Sequence, residues 1–341
     1  MTSSTAGLPG LFASAFKCGI LYRIRRVLKV VHRFCFSLVI LLTSAPVTLG
    51  RDLVVVVKSR EVEPYEIALK SLRQTLKESG YDPVIGEYLL PEGGQEKSGL
   101  LADIRKKDPR LIVTLGSAAT SQISKAIKDI PVTFCMVLNP QASGFIRSMD
   151  ASGNNLTGAS LDIPIQTQFE ALRSIVPSMK KIGVIYNTQE TESVVQQARR
   201  TAKEMGLELV TAAISSEEKV PEALRSLDKS IDALWSVADS TAFSSGSMKV
   251  ILLHTLQNRI PFMGLSPAFV KAGALLALDA DYQEVGAQCG GLATRILTGD
   301  HPSSLPITTP QRATLHVNLK TAETIGLKIP ADRLKGAVVL K

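Results

Sequence analysis

The segment Leu111-Ile112-Val113-Thr114-Leu115-Gly116-Ser117-Ala118-Ala119 contains the pattern that decides the fold of this chain. Its first five residues are apolar or β-branched, which is typical of a strand buried on both faces of a parallel sheet. A glycine and a serine follow, and the next residues begin a helix that we predict to end near Asp129. A buried strand that turns directly into a helix is the repeating unit of α/β proteins.

The same alternation of strand and helix occurs on both sides of this segment. Upstream, we predict strands over 52–57 and 82–89 and helices over 64–79 and 99–107. A strand over 132–138 follows, and the segment 141–160, rich in Ser, Gly and Asn, is predicted to be a loop and a crossover. Further predicted helices cover 165–175, 191–205, 217–226, 247–258 and 282–297, with strands over 181–186, 208–213, 233–237, 260–264, 273–278 and 313–318. The pattern predicts an α/β protein with doubly wound parallel sheets.

Length indicates how this pattern is divided. The chain has 341 residues, of which 45% are hydrophobic and 21% charged, the composition of a folded globular protein. Residues 51–341 are more than one hydrophobic core usually covers, so two domains are expected.

Residues 1–50 have the pattern of an export signal. A basic stretch ends at Arg33, an apolar run covers 34–42, and the small or turn-forming residues 43–46 follow. The run is short for a membrane span, so we predict a cleaved signal peptide and a periplasmic protein. The alternative is a signal anchor that stays in the membrane. No cysteine follows the run at a lipoprotein-like position.

The basic net charge does not indicate nucleic-acid binding. The chain carries 39 basic and 31 acidic residues, but the first 50 residues contain six of the basic ones and no acidic residue. Residues 51–341 are therefore nearly balanced, without the excess positive charge that binding to phosphates requires.

Beyond the predicted signal, the cysteines are Cys135, in an apolar strand-like run, and Cys289, on a helical pattern. Burial of both as small hydrophobic residues is the favoured interpretation. A single disulfide between them in an oxidising compartment is the alternative.

Several short segments, in their order and spacing, resemble the ABC-transporter substrate-binding proteins of the tryptophan/tyrosine-type group, which have the type I periplasmic-binding-protein fold. The resemblance covers about 53–327. The segments that carry it are 111–119, Ile-Pro-Val-Thr-Phe at 130–134, Asn-Leu-Thr-Gly at 155–158, Lys-Ile-Gly-Val-Ile-Tyr-Asn at 181–187, Ile-Pro-Phe at 260–262, Lys-Ala-Gly-Ala at 271–274, Tyr-Gln-Glu-Val-Gly at 282–286 and Asn-Leu-Lys-Thr-Ala at 318–322.

The resemblance implies two lobes, three hinge crossovers and a ligand in the cleft between the lobes. We expect lobe 1 to contain 51–157 plus about 266–303, and lobe 2 to contain 158–265 plus about 304–341. It also implies a small-molecule ligand, such as an amino acid or an aromatic acid, no cofactor, and an ABC permease in the inner membrane as the partner.

Candidate ligand-binding residues follow from a rule of open α/β sheets, in which ligands bind beyond the carboxyl ends of the strands. Polar or glycine residues that follow the predicted strands are Ser59, Gly116, Ser117, Asn139, Asn187, Asp239, Thr241, Ser266 and Asp279.

Each candidate also has a structural interpretation. Gly116 and Ser117 begin a helix whose free N–H groups could bind a carboxylate, or Ser117 could cap the helix. Asp239 and Thr241 resemble an Asp-Asn-Thr-like motif of the family, and Asp239 could pair with a ligand ammonium or cap a turn. Family members that bind amino acids have an acidic residue near Ser266, so the serine puts amino-acid specificity in question. Asn139 precedes a proline and could simply open a turn.

Motifs of catalysis are missing from the sequence. It contains no Gly-x-Gly-x-x-Gly segment, no P-loop and no Gly-x-Ser-x-Gly elbow, and its four histidines are scattered. We therefore expect a binding protein rather than an enzyme. A membrane-anchored sensory module with a sensor kinase as its partner is the alternative, and a hydrolase or transferase is a weaker third hypothesis.

Overall fold

The first sheet is built from the N-terminal half of the chain. The computed structural model describes residues 52–341, so the predicted signal peptide lies outside the described residues. Five strands pair in the order β2-β1-β3-β4-β5, and every pairing is parallel. Their bounds are β1 (Leu53–Lys58), β2 (Val84–Leu89), β3 (Leu111–Leu115), β4 (Val132–Val137) and β5 (Leu156–Ser160). Residues of β3, β4 and β5 are all buried, as continuous apolar runs predict.

The second sheet has seven strands in the order β12-β11-β10-β9-β8-β6-β7. Strand β11 is antiparallel to β10 and parallel to β12, whereas the other pairs are parallel. The bounds are β6 (Lys181–Asn187), β7 (Glu208–Ile214), β8 (Ala233–Trp235), β9 (Phe262–Met263), β10 (Leu276–Ala280), β11 (Ala313–Asn318) and β12 (Val338–Leu340). Each lobe is thus an α/β layer structure built on a mostly parallel sheet, as predicted. In the second sheet, the last two strands run antiparallel to the others.

Helices cover the sheets. Their bounds are α1 (Glu63–Glu78), α2 (Gly94–Lys107), α3 (Ser117–Ala126), α4 (Ile165–Ile175), α5 (Thr188–Glu204), α6 (Val220–Leu227), α7 (Ser245–Gln257), α8 (Pro267–Ala272), α9 (Tyr282–Leu297) and α10 (Leu319–Thr324). Short 3-10 turns occupy Glu217–Lys219, Pro302–Ser304 and Ala331–Leu334. Helix α1 shows why the sequence folds in this way: its buried residues recur at helical spacing and a proline lies in its first turn.

Two hydrophobic clusters lie on opposite faces of the first sheet. Helices α1 and α9 supply one cluster, and α2 and α3 supply the other. Helix α9 lies so close to α1 that a Cβ at Gly286 would collide with the backbone oxygen of Ala68. A glycine is therefore required at this contact, because any side chain would push the helices apart. A third cluster fills the second lobe.

The chain crosses between the lobes three times. It passes from β5 to α4, returns from β10 to α9, and crosses again after the Pro302–Ser304 turn to reach β11. Before this last crossover, Ile307 packs in the core of the first lobe and Thr308 bridges to Ala159. The three predicted crossovers are confirmed.

The boundaries of the lobes differ from the predicted ones at three places. One is the last crossover, because Ile307 still packs in the first lobe, beyond the predicted end at about 303. Strand β5 extends the first sheet to Ser160, beyond the predicted boundary at 157, because it pairs with β4. The segment 266–280 belongs to the second lobe rather than the first, because β10 pairs with β9 and β11. Among the described residues, no helix is both long and apolar enough to cross a membrane.

Candidate ligand-binding site

A cavity of about 470 Å³ lies between the lobes, next to the first crossover. The first lobe contributes the loop after β4, residues 138–142. The second lobe contributes the residues that end or follow β8 and β9, at 235–238 and 263–265. The cavity therefore occupies the carboxyl ends of strands from both sheets, where open α/β sheets bind ligands. Its volume is that of a site for a small molecule.

A bulge near the end of β4 directs the chain into the cavity. The pairing register between β4 and β5 shifts between Cys135 and Val137, and the intervening Met136 has a positive φ of 59°. A methionine in this conformation is strained, and such bulges often re-aim the strand next to a binding site. Leu138, the first residue after the strand, lines the cavity as a result.

Apolar side chains from both lobes form much of the wall. Leu138 of the first lobe is 42% exposed, and Leu265 of the second lobe is 37% exposed. Large exposed apolar side chains that converge on one cavity are typical of a surface that binds an apolar group.

Trp235 forms part of the cavity lining at the end of β8. Its ring packs edge-on against Phe169, with 5.2 Å between the ring centres. Its Nε1 donates to Oε1 of Gln168 at 2.7 Å, and Nε2 of Gln168 donates to the backbone oxygen of Ile163 at 2.7 Å. Trp235 is almost fully buried, so it packs in the core of the second lobe. Its hydrogen bond to Gln168 also fixes a polar amide at the cavity.

Asp162 is the acidic residue among those that line the cavity. Its carboxylate accepts the backbone N–H of Asn139 at 2.8 Å and the hydroxyl of Ser160 at 2.7 Å. Burial raises the pKa of Asp162 to about 6, although the hydrogen bonds from Ser160 and Asn139 lower it. The site therefore holds a carboxylate whose negative charge is poorly stabilised by the protein.

Helix α5 brings polar side chains to the cavity from the second lobe. Ser193, Gln197 and Arg200 lie on its exposed side and line the cavity. Arg200 is the cation among the lining residues, and within the described part of the chain it forms no ion pair.

Asn139 is the one predicted site residue that lines the cavity. It has a φ of 47°, a left-handed conformation that asparagine tolerates better than most residues. Its Nδ2 donates to the backbone oxygen of Ala238 at 3.2 Å and so joins the first lobe to the second.

Asp239, Asn187 and Thr241 lie together in the second lobe, but not among the lining residues. The buried carboxylate of Asp239 accepts four hydrogen bonds, from the backbone N–H groups of Asn187 (2.7 Å), Thr241 (3.1 Å) and Ala242 (2.8 Å) and from the hydroxyl of Thr191 (2.6 Å). The side chain of Asn187 caps α5 and donates to Thr241. This network ties β6, α5 and the loop after β8 together, which is the structural interpretation of Asp239.

Ser59, Gly116 and Ser117 lie at the carboxyl ends of β1 and β3, outside the cavity lining. Oγ of Ser59 accepts the backbone N–H of Ala119 at 2.9 Å, so Ser59 caps the first turn of α3. Gly116 has a φ of 86° and contacts the side chain of Tyr65, which leaves no room for a Cβ. Ser117 is exposed at the start of α3.

The last two predicted residues flank the cavity. Ser266 directly follows the lining residue Leu265 and precedes α8. Asp279 follows the lining residue Leu278, but its carboxylate accepts the hydroxyl of Tyr282 at 2.6 Å. Burial and this hydrogen bond raise the pKa of Tyr282, while burial lowers the pKa of the neighbouring His316 despite the attraction of Asp279.

Asp162 and Arg200 are not among the residues that the sequence predicts for the site. The segment 156–160 was predicted as part of a crossover, and recognising it as a fifth strand would have placed Asp162 beyond a carboxyl end. Arg200 lies on the exposed face in the C-terminal half of an amphipathic helix, where a basic residue is ordinary. Within residues 52–341, no cluster of three or more His, Cys, Asp or Glu side chains could hold a metal ion.

The architecture defines a class, the two-lobed proteins of the type I periplasmic-binding-protein fold. Similarities to known proteins support this class. Residues 57–340 match the model of the family described as ABC transporter substrate binding protein, so the chain belongs to this family. Members of the family are non-enzymatic binding proteins that act outside the cytoplasm.

Among curated relatives, a protein named tyrosine-binding protein from Clostridioides difficile (strain R20291) is 32% identical over 233 residues. The match covers 67% of this chain and 66% of that protein. An uncharacterized protein from Rickettsia prowazekii (strain Madrid E) is 23% identical, over 84% of this chain and 89% of the other.

Two solved structures share the fold. One is a ligand-free, open substrate-binding protein with adhesive properties from Clostridium difficile, with a TM-score of 0.69 and 23% identity, covering 85% of this chain and 99% of the other. The other is an ABC domain in complex with L-Trp from Streptococcus pneumonia, with a TM-score of 0.62 and 21% identity, covering 86% and 100%. The predicted family and fold are confirmed.

Proposed function

We propose that this protein is the extracytoplasmic solute-binding component of an ABC-type uptake transporter. It binds a small solute in the cavity between its lobes and delivers the solute to a permease in the inner membrane. Closure of the lobes about the three crossovers encloses the ligand and distinguishes the loaded protein from the empty one.

The observation that carries this proposal is the convergence of both lobes on one cavity with an apolar wall. Leu138 and Leu265 come from different lobes, so a ligand that contacts both favours the closed arrangement over the open one. A ligand shifts a conformational equilibrium only through such differential contacts. The polar groups that the site adds to this wall are few, as in most small-molecule sites.

The ligand that fits this lining is an amino acid with a large apolar or aromatic side chain. The apolar wall accommodates the side chain, and Asp162 and Arg200 provide one negative and one positive group for the polar end. The relatives support this class, since one is named for tyrosine and another was solved with L-Trp. The absence of an acidic residue near Ser266 does not count against it, because Asp162 offers a carboxylate from another element.

The transport role rests on family membership together with the predicted signal peptide at 1–50. A protein that is exported and meets its permease at the outer face of the inner membrane can deliver solute without catalysing a reaction. The proposed location is therefore the periplasm.

A thermal-shift screen of the purified full chain tests the proposal. The panel contains tyrosine, tryptophan, phenylalanine, aliphatic amino acids, aromatic acids, sugars and nucleosides. A ligand present at a hundredfold excess over its dissociation constant stabilises the protein by about 2.7 kcal/mol through mass action. We expect a shift for amino acids with large apolar side chains, and a response to sugars or nucleosides alone would contradict the ligand class.

A pair of variants locates the binding site. Leu138→Ser changes the cavity wall, whereas Leu89→Ser changes a leucine of similar exposure at the end of β2, outside the lining. We expect the dissociation constant to rise in Leu138→Ser and to stay unchanged in Leu89→Ser. Equal affinities in both variants would place the ligand elsewhere.

A further inference from the structure

The cavity contains one carboxylate that lacks a cationic partner. Asp162 is the acidic residue of the lining, and among the described residues no positive side chain lies within ion-pair distance of it. Arg200 lines the same cavity but does not pair with Asp162. The negative charge is therefore held only by hydrogen bonds from neutral groups.

These hydrogen bonds leave part of the carboxylate free. The backbone N–H of Asn139 lies 3.1 Å from Oδ1 and 2.8 Å from Oδ2, and the hydroxyl of Ser160 reaches Oδ2. A carboxylate offers about four acceptor positions, so Oδ1 in particular can accept further donors. Because Asp162 lines the cavity, a donor from a ligand can reach it.

Other acids near the cavity differ from Asp162 in this respect. Asp239 accepts four hydrogen bonds, and Glu190 accepts from the backbone and hydroxyl of Ser240 and from the hydroxyl of Thr241. Neither lines the cavity. Asp162 thus differs from these acids in two ways: its carboxylate lines the cavity, and it can accept further hydrogen bonds.

Energetics favour a cationic ligand group at this position. A charge buried without a counterion is costly, and an ammonium that arrives with the ligand relieves this cost while it forms charge-assisted hydrogen bonds. A neutral or anionic ligand group would leave the carboxylate uncompensated or would repel it. The raised pKa of Asp162 agrees with a charge that the ligand-free protein stabilises poorly.

We infer that Asp162 recognises the ammonium group of the ligand, so that the site selects protonated primary amines with a large apolar body over analogues that lack the amine. This inference rests on the proposed function and names the residue that sets its specificity. Arg200 is left available for a carboxylate on the same ligand.

The position of Asp162 also links the ammonium to the hinge. Asp162 lies in the first crossover, between β5 and α4, and holds the start of the loop after β4 through Asn139. Asn139 in turn bonds to Ala238 of the second lobe. An ammonium bound at Asp162 therefore contacts the segment about which the lobes move.

Titration calorimetry with three related compounds tests the assignment. The probes are tyrosine, tyramine, which lacks the carboxylate, and 3-(4-hydroxyphenyl)propanoate, which lacks the amine. The measured quantity is the ratio of the dissociation constant of the propanoate to that of tyrosine, at pH 7.5. We expect a ratio well above 10 in the unmodified protein, and a fall of about 10- to 100-fold in Asp162→Asn, as for loss of a hydrogen bond to a charged group.

The ratio separates recognition from structural support. If Asp162 only positions the loop after β4, Asp162→Asn weakens tyrosine and the propanoate alike and the ratio stays constant. Asp150→Asn is the matched control, because it removes an exposed negative charge from the segment between β4 and β5, outside the cavity lining, and should leave the ratio unchanged.

A measurement on the unmodified protein covers the case in which Asp162→Asn fails to fold. At pH 5 the carboxyl of Asp162 is largely protonated, since its pKa is about 6, whereas the amine of tyrosine stays protonated. The groups that face Asp162 are the neutral Asn139 and Ser160. Arg200 is the charged side chain that lines the same cavity. The ratio should therefore fall between pH 7.5 and pH 5.

The outcomes distinguish this inference from the proposed function. Binding of none of the three probes overturns the proposed ligand class and the inference with it. Tight binding of tyrosine and the propanoate with a ratio near one leaves the proposed function intact and overturns the role of Asp162. A large ratio that survives in Asp162→Asn and at pH 5 also overturns it.

Discussion

Replacing Asp239 with alanine should destabilise the second lobe rather than remove a ligand contact. The change deletes the acceptor of four hydrogen bonds and leaves three backbone N–H groups and the hydroxyl of Thr191 without a partner in the protein interior. Each stranded donor costs about 1 kcal/mol or more. Four of them predict a loss of about 3 to 5 kcal/mol in the free energy of unfolding.

Urea denaturation followed by tryptophan fluorescence measures this loss. Trp235 is the single tryptophan of the chain, is buried in the core of the second lobe and lies four residues from Asp239. Its emission therefore reports the unfolding of the lobe that the substitution weakens. Asp150→Ala is the control, because its side chain is exposed, and it should change the free energy of unfolding by less than about 0.5 kcal/mol.

One result would refute the structural role of Asp239. If Asp239→Ala unfolds at the same urea concentration as the unmodified protein but binds its ligand much more weakly, then Asp239 contacts the ligand. A large loss of stability in the ligand-free protein supports the hydrogen-bond network as its main role.

Three further predictions concern other parts of the molecule. Gly286→Ala should destabilise the protein by about 1 to 3 kcal/mol, because the new methyl group collides with the backbone of α1. Gly291→Ala, at an open position of the same helix, should stabilise it by about 0.5 to 1 kcal/mol, and urea denaturation measures both changes. Cys135 and Cys289 are free and buried, and burial raises the pKa of Cys135, so both thiols should react with an alkylating reagent only when the protein unfolds. Mass spectrometry of the cysteine-containing peptides measures this reaction, and a disulfide found without added oxidant would contradict the prediction. The pKa of Asp162 is higher in the folded protein than its ordinary value, so folding binds a proton and the free energy of unfolding falls as the pH rises from about 4 to 6. In ligand-free Asp162→Asn, denaturation curves should lose this fall, which is on the order of 3 kcal/mol.

Most elements of the fold could be predicted because each is encoded by a local pattern. The helix predicted over 282–297 and the strand predicted over 313–318 agree with the structure at both ends. Strand β5 was missed because Leu-Thr-Gly-Ala-Ser contains small and polar residues, and pairing with β4 decides its conformation. Strand β12, near the C-terminus, was not predicted either, since a three-residue strand carries little periodicity.

The candidate site could be predicted only in outline. The carboxyl-end rule led to Asn139, but it also led to Asn187, which ends β6, and Asp239, which follows β8. Both form hydrogen bonds within the second lobe. A polar residue at the end of a strand has the same local sequence pattern whether its side chain contacts a ligand or caps a helix. The orientation of its side chain depends on neighbours from distant parts of the chain.

The sequence by itself determined the α/β class, the two lobes, the family and the balanced charge of residues 51–341, because these follow from composition and from patterns within short windows. Only the tertiary structure decided which residues share the cavity. Asp162 and Arg200 are 38 positions apart in the sequence, and the pairing of β5 with β4 and the packing of α5 in the second lobe bring both to the cavity. Contacts between residues so far apart depend on strand pairing and on the packing of the lobes, and a local sequence pattern does not predict them.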